Sequence, residues 1–148
     1  AGDVWAVGTR GNVIHVTDAE SDTPVVSAVE SHAMVALNAV HALSATEVWA
    51  VGTAGTVRKY DPSAGTFEPV DAIDTHVDLY SVTATSPSDV WIAGTDGTVH
   101  RYDGQGWRRV RLAGLGKRRP TFTSAWTSPS GDVWIAGEGV IVTTRGKS

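Results

Sequence analysis

Cysteine is absent from the chain and methionine occurs once. The first absence removes disulfide frameworks, CxxC redox chemistry, thiol nucleophiles and cysteine-ligated zinc together. No apolar run approaches the ~18 residues that a membrane-spanning helix needs. The opening segment AGDVWAVG lacks the basic start and apolar stretch of a signal peptide. Also missing is any long stretch with 3.6-residue periodicity and caps, so helices are not expected as major elements. A short helix competes only in the alanine-rich AVESHAMVALNAV (28–40), where the repeat register described below favours a loop and then a strand.

What is present suits a globular chain. Its 148 residues are enough for one domain with a sizeable core, or for a few small repeat units. Hydrophobic residues at 41% and charged residues at 19% argue against disorder. Sixteen glycines point to many tight turns. The net charge of −4 hides an asymmetry: residues 1–100 carry 13 acidic and 3 basic side chains, residues 101–148 carry 3 and 9. Six of the twelve basic residues fall between Arg108 and Arg119. Overall acidity argues against a dedicated nucleic-acid binder, while a local basic patch beside an acidic one suits a polyanionic ligand or an acidic partner.

An internal repeat organises the chain. DVWAVGTRGNV (3–13) returns as EVWAVGTAGTV (47–57), as DVWIAGTDGTV (89–99) and, shortened, as DVWIAGEGVIV (132–142). Trp5, Trp49, Trp91 and Trp134 mark spacings of 44, 42 and 43 residues. The repeated segments are short, rich in Val, Thr, Trp, Tyr and Ile, and bounded by glycine pairs or Ser-Pro-Ser turns. The class is therefore all-β. One unit reads as strand A (79–85), strand B (90–94), strand C (98–102) and strand D (107–112). Strand B, as in VWAV, is apolar on both sides, so each sheet should lie between two similar sheets. Radially stacked four-stranded blades meet that demand, and a two-layer sandwich does not.

The pattern [DE]VW[AI][AV]G followed by GTV, with YDGQGW and SPSD in one unit, resembles the repeats of bacterial β-propellers. Photosystem II assembly factor-like, Asp-box and tectonin-type propellers are the similar families. The resemblance covers nearly all of residues 1–148, read as a single propeller-repeat domain with units beginning near 3, 47, 89 and 132. It implies bacterial origin and an extracytoplasmic place, in the periplasm, at the cell surface or secreted. Of a full Asp-box only Asp103, Gly104 and Trp107 are matched, in one repeat.

Three A, four B, four C and three D strands make about 3.5 blades, with incomplete blades at both ends. Closed propellers typically have four to eight. The chain is then a fragment of a longer propeller, half of a two-chain seven-bladed ring, or a four-bladed ring with two incomplete sheets.

Alternating strand direction puts the B–C turns and the D–A loops at one end. The B–C turns contribute Arg10, Ala54, Asp96 and Glu138; the D–A loops contribute His32, then Asp71, Asp74, His76 and Asp78, then Lys117, Arg118 and Arg119. Variable loops on a rigid scaffold are where binding usually sits, so this face is the candidate site. DAIDTHVD offers oxygen and imidazole donors, but its spacing matches no established metal loop. Asp18, Glu20 and Asp22 lack the glycine and distal glutamate of a calcium loop. No metal and no cofactor is expected, and no catalytic set can be assembled from the five histidines or from Asp71 and Asp96. The four repeated tryptophans read as core. Trp126, aligned with Thr83 and His41 near the ring axis, and Trp107 are candidate sugar platforms.

The reading is a non-enzymatic propeller module that engages a protein or cell-envelope partner through its B–C and D–A loop face. A lectin-like carbohydrate binder and a fragment of a glycoside hydrolase are the alternatives. Expected partners are a protein or glycan ligand and a possible second copy completing a ring, with no nucleic acid and no membrane insertion.

Overall fold

Alternation along each strand B decides which way every sheet faces. In EVWAV, Val48 and Ala50 point one way, and Trp49 and Val51 the other; all four are buried. A computed structural model of the chain, describing residues 2–71 and 73–144, shows what covers them. Fourteen strands form four antiparallel sheets of three, four, four and three strands, each continuous along the chain. The first sheet holds β1 (Val4–Val7), β2 (Val13–Thr17) and β3 (Val25–Val29). The second holds β4 (Leu37–Ala42), β5 (Val48–Gly52), β6 (Val57–Asp61) and β7 (Thr66–Pro69). The third holds β8 (Leu79–Ser86), β9 (Asp89–Gly94), β10 (Val99–Tyr102) and β11 (Trp107–Arg109). The fourth holds β12 (Ser124–Thr127), β13 (Val133–Gly137) and β14 (Val140–Thr143).

This is a β-propeller arrangement of about 3.5 blades, as the repeat implies. Among the described residues, the first sheet has strands B, C and D and the fourth has strands A, B and C, so the incomplete blades fall at both ends as expected. The alanine-rich segment is loop and then strand. Strand D of the third sheet stops at Arg109, three residues short of the expected end. Arg111 therefore leaves the sheet and enters the loop face.

Three cores fill the gaps between successive sheets. Trp5, Val13, Val48, Ala50 and Phe67 fill the first; Trp49, Val57, Val82, Val90 and Ile92 the second; Trp91, Val99, Phe122, Val133 and Ile135 the third. Each tryptophan thus reaches across to the sheet that follows. Trp5 meets Tyr60 and Phe67 at ring separations of 4.9 and 5.5 Å, and Trp49 meets Trp107 edge-on at 5.6 Å. Trp134 has no described sheet to reach and is half-buried.

In the second and third sheets the acidic residue two places before the tryptophan has a definite task. Glu47 and Asp89 accept the indole N–H of Trp49 and Trp91 at 2.9 and 3.0 Å. The same carboxylates pair with Lys59 at 3.1 Å and Arg101 at 2.6 Å, cations that stack over the same indoles. In the first sheet His15 takes the cation's place, 3.3 Å from Asp3 and stacked on Trp5 at 3.9 Å. Thr143 stands at that place in the fourth sheet.

Candidate ligand-binding face

Each B–C turn places two successive residues in the left-handed region, a non-glycine residue followed by glycine: Gly11, Gly55, Gly97 and Gly139 hold the second place. Arg10, Ala54, Asp96 and Glu138 have φ of 55°, 54°, 57° and 43°. That conformation is uncommon outside glycine and turns all four side chains outward, where they are exposed. Each of the first three turns is clasped by the D–A loop that follows it. Ser31 Oγ donates to the Gly11 carbonyl at 2.6 Å, Gly55 N–H to the Val77 carbonyl at 2.7 Å, and Gly97 N–H to the Pro120 carbonyl at 2.9 Å. Three B–C turns and the D–A loops that follow them thus lie against one another.

Much of its charge is already engaged. Asp78 accepts the Ala54 N–H at 2.9 Å, tying the loop to the turn. Glu138 accepts the Thr121 N–H at 2.8 Å. Arg58, from β6, donates to the carbonyls of Ser31 and His32 at 2.9 Å each and so pins the first loop; burial lowers its pKa, opposed by the nearby Asp71 and Glu68 carboxylates. His32 Nδ1 lies 3.1 Å from the Phe67 carbonyl. Asp71, Asp74 and His76 are exposed. Among the described residues, no group of three or more His, Asp or Glu side chains converges as a metal site.

The third D–A loop is different. Lys117, Arg118 and Arg119 are exposed and share a hollow of about 420 Å³ with Arg109 and Arg111. Asp96 is the acidic side chain lining it, 3.8 Å from Arg119. Arg118 also reaches the Glu138 carbonyl at 3.4 Å. Sequence reading placed three of these five cations at the face and left Arg109 and Arg111 on strand D. The dense run from Arg108 to Arg119 was the available signal. Arg108 itself turns away, toward Asp103 at 3.8 Å. The Asp103 carboxyl is held below its ordinary pKa by the backbone N–H groups of Gln105 and Gly106.

The tryptophan candidates lie elsewhere. Trp107 spends its ring on Trp49 and Tyr102 in the second core. Trp126 is 57% exposed and borders a hollow of about 540 Å³ at the inner strands, with His41, Thr83, Thr85 and Thr127. That hollow includes Ser128, Pro129 and Gly131 of an A–B turn, so it opens away from the basic loop. Burial lowers the pKa of His41 and, aided by the nearby Arg109, that of His100.

Comparison with solved structures agrees with the fold. The chain is similar to the WD40 β-propeller domain of Doa1, with 10% identity, a TM-score of 0.70, and coverage of 95% of this chain and 45% of that one. It is similar to YCF48 from Cyanidioschyzon merolae, with 19% identity, a TM-score of 0.65, and coverage of 97% and 50%. A third similar structure is YCF48 bound to a D1 peptide, with 14% identity, a TM-score of 0.54, and coverage of 96% and 59%. The chain thus spans about half the length of the propellers it matches. No family model and no curated protein matches it.

Proposed function

We propose that the chain is a non-enzymatic propeller scaffold that binds an acidic segment of a protein partner at the loop face, in an extracytoplasmic setting. The observation that carries this reading is the hollow around Arg109, Arg111, Lys117, Arg118 and Arg119, five exposed cations facing one carboxylate. Such a surface favours acidic groups and repels basic ones before any close contact forms. The rigid sheets hold the loop at fixed geometry, so little ordering is required on binding. That a similar propeller, YCF48, is known bound to a D1 peptide is compatible with a peptide-binding role for this architecture.

The test uses a fluorescent oligoglutamate peptide as probe, read by stopped-flow and anisotropy over a salt series. The Lys117→Ala, Arg118→Ala, Arg119→Ala triple variant is expected to slow association about tenfold at low salt and to flatten its salt dependence. Unchanged association in that variant would place binding elsewhere.

A further inference from the structure

Where β11 ends, cationic and aliphatic side chains alternate through Arg109, Val110, Arg111 and Leu112. Val110 N–H donates to the Val99 carbonyl at 2.8 Å, so the departing segment stays anchored to β10. Two turns follow. Gly114 and Gly116 have φ of 84° and 59°, a region that glycine enters without strain. They flank Leu115, whose carbonyl accepts the Arg118 N–H at 3.0 Å. The loop is thereby folded back, and Leu115, Lys117 and Arg118 share one hollow of about 420 Å³ with Val110 and Leu112.

Aliphatic side chains fare differently here than in the other two D–A loops. Ala33 in the first loop and Ile73 in the second are each 8% exposed and closed into a core. Val110, Leu112 and Leu115 touch the third core but are only half-buried, and all three line the hollow. The residues that wall it all lie between Asp96 and Arg119, within the third sheet and its following loop. The hollow is therefore formed without help from the faces at either end of the array.

We propose that the segment bound here carries one aliphatic side chain among its carboxylates, seated against Leu112 and Leu115. This rests on the acidic-segment reading above and adds to it the group that supplies affinity. Exposed ion pairs steer and orient a partner but hold it weakly, whereas an apolar anchor in a pocket holds it. A segment of carboxylates alone would satisfy the cations and leave the aliphatic wall wet. An apolar segment without carboxylates would cover the wall and leave five cations unpaired beside it. A leucine flanked by glutamates answers both demands, because cations and aliphatic side chains line the same hollow.

Two fluorescent probes of equal charge test this by anisotropy on the parent chain: an oligoglutamate with one central leucine, and the same peptide with serine there. The leucine probe should bind about tenfold tighter, the scale of burying most of one aliphatic side chain. Salt screens charge and not apolar contact, so that ratio should hold as salt rises while both affinities fall. Leu115→Ser, its fold checked by circular dichroism, should bring the two probes to equal affinity. The Lys117→Ala, Arg118→Ala, Arg119→Ala variant should weaken both in parallel. Equal affinities on the parent chain, weakened together in that variant, overturn this proposal and leave the acidic-segment reading standing. Failure of the parent chain to bind either probe overturns the two together. A leucine advantage that survives both Leu115→Ser and Leu112→Ser puts the aliphatic contact elsewhere, and overturns the proposal too.

Discussion

Asp89 shows how much one side chain of the repeat does. It accepts from the Trp91 indole at 3.0 Å, from Thr85 Oγ1 at 2.6 Å and from Arg101 at 2.6 Å. Removing it leaves a half-buried guanidinium and two donors without their acceptor. Asp89→Ala should therefore cost about 2–3 kcal/mol, the usual scale for orphaning such groups. A urea unfolding series against Asp61→Ala, an exposed-turn control whose carboxylate caps Ser63 N–H, checks it. The recurrence of [DE]-V-W was visible in the sequence, but its reason was not. The side chain over each of these indoles comes from strand C and changes identity from His15 to Lys59 to Arg101, so no residue type repeats there to betray the pairing.

At the scale of the strand, the glycine ending strand B separates the second, third and fourth sheets from the first. A Cβ on Gly52, Gly94 or Gly137 would lie 2.0–2.1 Å from the carbonyl oxygen of Ala36, Asp78 or Thr121, a backbone atom with no freedom to withdraw. Gly8 ends β1 with nothing within 4 Å, because the first sheet has no described inner strand beside it. Gly94→Ala should destabilise by about 3 kcal/mol or more, whereas Gly8→Ala should stay within about 1 kcal/mol. Thermal unfolding of the two variants decides it. Composition pointed these glycines toward tight turns. The structure adds a steric demand across the sheet, which a linear pattern does not display. Strands B were the most legible elements, because burial on both faces makes every position apolar. Strand D was the least, since Val110 and Leu112 continue its apolar alternation although the chain has already left the sheet to pack against the third core.

For the whole molecule, stability should be graded along the array. Each sheet touches only its neighbours, so the second and third are supported on both sides and the end sheets on one. Amide hydrogen exchange should find β5 and β9 the most protected strands and β3 and β14 among the least. Uniform protection from end to end would contradict this nearest-neighbour picture. The loop face was legible as a location because strand direction alone assigns turns to ends. Which charges remain available was not, because Asp78 and Glu138 are consumed by backbone donors that only folding brings near.

The clasp between each B–C turn and the loop that follows has one further consequence. Since Thr53 and Thr95 N–H donate alike to the carbonyls of Ala36 and Asp78, excising one whole period, such as residues 37–78, would join Ala36 to Leu79 and reproduce a junction of the kind the chain already makes. Growth and shrinkage by whole units therefore preserve the backbone register at the seam, while the side chains across it change: Trp5 would meet Tyr102 and Trp107 in place of Tyr60 and Phe67. Duplication can change how many loops the array displays, and hence what it recognises, provided that each new pair of facing sheets still packs.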